Sequence, residues 1–227
     1  MSTKNFDTVD FPSTPHTSHS TMAIRRLGEI NGLPEVLLQR IGALIVYCNF
    51  FETQAERTVW ILRQEDVQGK VPSTAKYRAN QTITELRKSA SSQEASIAEA
   101  IELACKTAFD VLEYRNCIAH GELLAFGDDT RFVSNVGLWG EIKNRPDAMA
   151  LISERFLDTA IDAAQTVYQA MLRIALEASG PSAGRPGAMA DSSEKLKLVC
   201  NSMSELCRSE ALRYFHTMGN LSDADPA

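Results

Sequence analysis

From Leu37 to Leu62 the apolar residues Leu37, Ile41, Leu44, Cys48, Phe51, Ala55 and Leu62 return mostly every three or four positions, the period that lines one face of an α-helix. This predicts a long amphipathic helix over about 34–64, with Pro34 near its start, where a missing N–H does no harm. The stretch "EDVQGKVPS" breaks it. A second helix is expected from near Ser73, capped by Ser or Thr, with Tyr77, Ile83 and Leu86 on one face. A third opens at Ser92 and Ala95 and turns Ile97, Ile101, Ala104, Cys105, Ala108, Val111 and Leu112 inward. Gly121 is expected as the left-handed residue that follows a helix end. A fourth, over about 151–178, carries Ile152, Phe156, Ala160, Ala163, Val167, Met171 and Ile174 on one face. A fifth, over about 192–219, is opened by Asp191 and Ser192 and shows Leu196, Val199, Met203, Leu206 and Cys207 at helical spacing.

Between the third and fourth helices, "ELLAFGDDTRFVSNVGLW" reads as two short strands around the turn "GDDT". Residues 1–22, rich in Ser, Thr and Pro, predict a disordered tail, and "SGPSAGRPGAMAD" has the composition of a linker. The expected architecture is all-α: a four-helix bundle over 23–179 with a small β-hairpin insert at about 122–140, a linker over 180–191, an additional C-terminal helix over 192–219 and a tail over 220–227.

Composition narrows the function classes. A net charge of −6 and a pI near 5.3 argue against a general nucleic-acid coat, yet leave room for a locally basic cleft. The five cysteines, odd in number and widely spaced, form no disulfide framework. Reduced thiols acting as small hydrophobes are expected, and with them a reducing, cytoplasmic setting. No run approaches the roughly 18 apolar residues of a membrane span, and the first 22 residues have no apolar signal core. His16 and His19 have ligand-like spacing but no companions, so neither a metal site nor a cofactor is expected.

One stretch stands apart. "VLEYRNCIAHG", over 111–121, carries Arg115, Asn116 and His120 into an otherwise apolar helix end. Asn116 and His120 are four apart and share a face, while Arg115 leaves the helix roughly 140° away from His120. His120 occupies the last turn, where the helix dipole favours a cation. The structural alternative is plain: Arg115 pairs with Glu113 or with an acid on the first long helix, and His120 finishes the helix.

"RNCIAHG" resembles the R-x4-6-H signature of the HEPN superfamily, in which a polar residue such as Asn commonly follows the arginine. The resemblance covers the bundle, roughly 30–178. It implies an all-α bundle of HEPN type and, for catalytic members, a metal-independent endoribonuclease acting as a homodimer with two motifs facing one cleft. Arg115 and His120 would then be catalytic and Asn116 would orient or contact substrate. Glu52 or Glu56 on the first long helix would support the site. Such proteins serve in toxin–antitoxin or phage-defence systems, which implies an RNA substrate and an antitoxin or regulatory partner. Some toxin members follow the histidine with x-Tyr, whereas this chain reads "HGELL".

The residues suit that chemistry on their own. RNA carries its nucleophile, the 2′-hydroxyl, so cleavage needs a base, an acid and positive charge on the phosphate. His120 can serve as base or acid, and Arg115 can grip phosphate oxygens as charge develops. The product would be a 2′,3′-cyclic phosphate. The alternative from a different class is a non-catalytic HEPN-like module that binds a nucleotide or a protein. Lys76, Arg78, Arg87 and Lys88 suggest either an RNA groove or, more simply, a solvated face. Trp60 and Trp139 are expected to pack.

Overall fold

The computed structural model describes residues 17–126, 129–134, 147–179, 188–208 and 212–215. Along them lie α1 (Thr17–Asn31), α2 (Glu35–Leu62), α3 (Ala79–Lys88), α4 (Ala95–His120), β1 (Glu122–Phe126), β2 (Asp129–Ser134), β3 (Asp147–Ile152), α5 (Glu154–Ala178), α6 (Ala188–Arg208) and β4 (Leu212–Phe215). The chain is mostly helical, with one antiparallel sheet in the order β1-β2-β3-β4.

α2 and α5 make the main seam. They run in the same direction: Arg40 pairs with Glu154 and Asp158 at the start of α5, both at 2.8 Å, and Thr58 farther along donates to the Met171 carbonyl at 3.3 Å. Large residues of α2, among them Leu44, Phe51 and Val59, fill the space that Ala160, Ala163 and Ala164 of α5 leave open, and all six are fully buried. Alternating large and small side chains in this way lets two helices close without a void.

α4 runs against α2. The end of α3 is tied to the end of α2 by Arg63–Glu85, and early α4 meets that end of α3 through Arg87–Glu102 at 2.7 Å. Late α4 reaches the middle of α2 instead, through Arg115–Glu52. α6 lies along α4 in the same direction, held by Lys197–Glu99 at 2.7 Å and by Ser204 donating to Asp110 at 2.9 Å. Leu196, Val199, Cys200, Met203 and Leu206 of α6 are buried, so the helix completes the core. No helix among the described residues is long and apolar enough to cross a membrane.

Several boundaries differ from the sequence expectation, each for a local reason. The tail expected over 1–22 is helical from Thr17 onward. Its residues 17–27 contain neither Gly nor Pro, and Arg25–Glu29 adds an i,i+4 ion pair on the exposed face. The second predicted helix begins at Ala79 and not near Ser73, because Ser73 is engaged elsewhere: its N–H and hydroxyl both donate to Glu65, each at 2.7 Å. Those two bonds hold the Glu65 carboxyl below its ordinary range. The helix placed from about 151 starts at Glu154, where Ser153 accepts from the Phe156 N–H at 3.3 Å, and the residues before it form β3. The hairpin expected at about 122–140 is present as β1 and β2, but β3 and β4 extend it into a sheet. The helix placed over 192–219 stops at Arg208, and "LRYF" pairs with β3. Trp139 and His16 lie outside the described residues.

Candidate functional site

The C-terminal half of α4 is gripped by the sheet. The Tyr114 hydroxyl, on a fully buried ring, donates to the Leu151 carbonyl of β3 at 2.8 Å. The Cys117 thiol donates to the Phe132 carbonyl of β2 at 3.5 Å. Gly121 then lets the chain leave the helix into β1, close against β2. Its backbone is extended, φ −87°, and not left-handed as the sequence suggested. The glycine is required by closeness: a Cβ here would run into the Cys117 carbonyl and come within 3.1 Å of the Val133 carbonyl and 3.2 Å of Phe132 Cβ. These contacts fix the helix end and set which faces of α4 remain available.

Arg115 points at α2. Its Nη2 donates to Glu52 Oε1, and the two side chains are 19% and 26% exposed. Its Nε is buried without a hydrogen-bond partner among the described residues. Cys48, one turn before Glu52, is fully buried against the same guanidinium. Burial pushes its thiol up to about 12 despite the neighbouring cation, so a neutral thiol faces Arg115. The arginine is thus oriented by its surroundings, with one edge of the guanidinium committed to Glu52.

Asn116 and His120 occupy another face. Asn116 is half-buried, His120 is exposed, and neither side chain bonds to a described residue. Glu113 completes this stripe at i, i+3 and i+7. Its carboxyl is raised by burial first and by Asp110 second. Arg115 and His120 are therefore not joined within one chain: among the described residues the arginine belongs to the α2 side and the imidazole to the open side.

Glu56 is placed by a small relay. The Trp60 indole donates to Thr74 Oγ1 at 2.7 Å, and Thr74 donates to Glu56 Oε1 at 2.6 Å. Trp60 is accordingly a structural hydrogen-bond donor. Glu52 and Glu56 both line a cleft of about 220 Å³ with Thr53, Thr74, Tyr77 and Thr82. Of the basic residues that suggested an RNA groove, Arg87 pairs with Glu102 and Lys88 with Glu85, each at 2.7 Å, as a solvated face would. No disulfide joins any two of the five cysteines, and no cluster of three or more metal-ligating side chains occurs among the described residues.

Sequence reasoning brought forward Arg115, Asn116, His120, Glu52 and Glu56 but passed over Cys48, Thr74, Tyr77 and Tyr114. Cys48 had a readable signal, since Cys48, Glu52 and Glu56 recur every fourth residue and form one polar ladder on α2. Thr74 and Tyr77 had none, because they sit in an irregular turn. No protein-family model, curated protein or solved structure matches the chain.

Proposed function

We propose that this chain is a metal-independent endoribonuclease of HEPN type that acts as a homodimer, with Arg115 and His120 as its catalytic pair. The observation that carries the reading is the division of labour at the end of α4. An arginine is pre-oriented by a partly buried carboxylate, while the adjacent Asn116 and, a turn farther, His120 face outward with no partner in the described chain.

Because Arg115 and His120 leave α4 roughly 140° apart, a twofold pairing is the economical way to complete one cleft. In it, His120 takes the proton of the ribose 2′-hydroxyl, which attacks the adjacent phosphorus. The P–O5′ bond breaks, His120 of a second copy returns a proton to the leaving 5′-oxygen, and the product end is a 2′,3′-cyclic phosphate. Arg115 faces the phosphate oxygens as charge builds on them. Asn116 orients the substrate and Glu52 holds the arginine. DNA lacks the nucleophile and is left intact. In the toxin–antitoxin or defence setting that the motif suggests, such cleavage halts growth and an antitoxin or regulator restrains it.

The commitment of one Arg115 edge to Glu52 favours the second reading, a non-catalytic module that binds nucleotide or protein. One experiment separates the two. Purified protein is incubated with total cellular RNA in EDTA and the new 3′ ends are mapped. Cyclic-phosphate ends should form and fall by about 10²–10⁴-fold in His120→Ala, with an unchanged melting temperature because that side chain is exposed. RNA left uncut by dimeric, folded protein would hand the site to the binding module.

A further inference from the structure

The cleavage chemistry touches the cleft beside Glu52 and Glu56 only through Glu52, which holds Arg115, and leaves the rest of it unassigned. Its walls come from three places: Glu52, Thr53 and Glu56 of α2, Thr74, Ala75 and Tyr77 of the turn, and Ala79 and Thr82 of α3. At about 220 Å³ it is smaller than the roughly 300–1,000 Å³ of a site for a drug-sized ligand, and suits a single ring system. None of its lining residues is cationic, so it offers nothing to a phosphate. Glu56 has one oxygen occupied by the 98% buried Thr74, and Glu52 has one occupied by Arg115. The carboxylates are therefore held in place before any ligand arrives, which lowers the entropy lost on binding. The Tyr77 ring, on the rim, is 38% exposed.

We propose that this cleft is a nucleobase subsite selective for guanine, with Glu56 accepting from the base's N1–H and 2-amino group and Tyr77 stacking on its face. Guanine is the one RNA base that presents two neighbouring N–H donors to a single carboxylate. Adenine and cytosine place a ring-nitrogen acceptor next to their amino group, which would face a carboxylate oxygen. Uracil sets its one N–H between two carbonyls. Stacking on an aromatic ring is the usual way in which proteins hold an unpaired base. The inference rests on the ribonuclease reading for its substrate, and its placement is consistent with it. Because α4 runs against α2, the series Glu56, Glu52, Arg115, His120 advances in one direction, from base subsite to phosphate to imidazole.

Equilibrium dialysis of the full-length protein against guanosine, inosine, adenosine, cytidine and uridine tests the subsite without any cleavage. Guanosine should bind about 10- to 100-fold more tightly than adenosine, cytidine and uridine, with inosine, which lacks the 2-amino group, in between. Glu56→Gln should abolish the preference, Tyr77→Ala should weaken every nucleoside, and Tyr77→Phe should restore binding, with circular dichroism confirming the fold of each. Cleavage of a random-sequence RNA pool should show guanosine enriched at one fixed position beside the cut. RNA cut without base preference, by protein that binds all nucleosides alike or none, would overturn the subsite and leave the nuclease standing. Guanosine bound through Glu56 by protein that cuts no RNA would keep the subsite and remove the nuclease. Binding of the amine spermidine in place of guanosine would also overturn it.

Discussion

Two adjoining seams of α2 are built from different chemistry. Toward α5 it presents Leu44, Phe51 and Val59 to a run of alanines, all fully buried. Toward the end of α4 it presents Cys48 and Glu52 to Arg115, at 19–26% exposure for the ion pair. The first seam is what apolar burial produces unaided. The second keeps a charged pair where matched apolar residues would hold the helices at least as well, since desolvation cancels much of the attraction in such a pair. An ion pair retained at a seam that gains little stability from it fits a role beyond packing. The contrast separates residues that hold the bundle together from residues that the bundle holds in place.

The sharpest break falls on the apolar side. Phe51→Ala removes a fully buried ring from the α2–α5 seam and should cost about 3–5 kcal/mol, read by chemical denaturation. A loss below about 1 kcal/mol would mean the seam is not the core described.

On the polar side the expected effect is smaller and depends on which partner remains. Arg115→Leu strands the Glu52 carboxylate in a partly closed site and should cost about 1–3 kcal/mol. The double variant Arg115→Leu/Glu52→Leu should recover most of that loss while remaining without the proposed ribonuclease activity. If the double variant is no more stable than the single one, the pair is a structural brace and the distinction between the seams collapses.

What the sequence disclosed follows the same division. Helices with a full apolar stripe, such as α2, α4 and α5, were legible because the period of three to four residues is written in each of them. The ends were not. Ser153 decides where α5 begins by a single hydrogen bond, and Ser73 fails to start α3 because Glu65 takes its donors. Strand β4 looks helical in the sequence because Leu196 to Cys207 sets a helical rhythm that the four residues of the strand are too few to contradict. At the site, the residue types in "RNCIAH" pointed to chemistry, and the i,i+4 rule put Asn116 and His120 together. Which way Arg115 turns depends on a carboxylate 63 positions away, and no local pattern carries that.

Gly121 is a finer probe of the polar end. Gly121→Ala needs no forbidden backbone angle, since φ is −87°. Its methyl would instead push on the Cys117 and Val133 carbonyls and on Phe132. Such overpacking should cost about 1–3 kcal/mol and displace the helix end that carries His120, so the proposed ribonuclease activity should fall more than stability does. A fully stable, fully active variant would show that β2 does not set the position of the imidazole.

The smallest effect concerns a carboxylate that, unlike Glu52, has no cation paired with it among the described residues. Glu113 lies on the Asn116–His120 face of α4, and burial together with Asp110 raises its carboxyl above the ordinary 4.5. A raised value means that the native state holds this proton more tightly than the unfolded chain does. The group's contribution to stability is therefore fullest below pH 4.5 and is lost as the pH climbs through the raised value. At neutral pH the charged carboxylate is a mild burden that Glu113→Gln removes. Thermal melts of the variant should run slightly above wild type at pH 7, and the gap should close as the pH is lowered toward 4.5. Glu52→Gln should do the opposite at pH 7, because there the charge is the half of a pair that Arg115 needs. Two carboxylates near one helix end would then shift stability in opposite directions, according to whether α2 has set a guanidinium beside them.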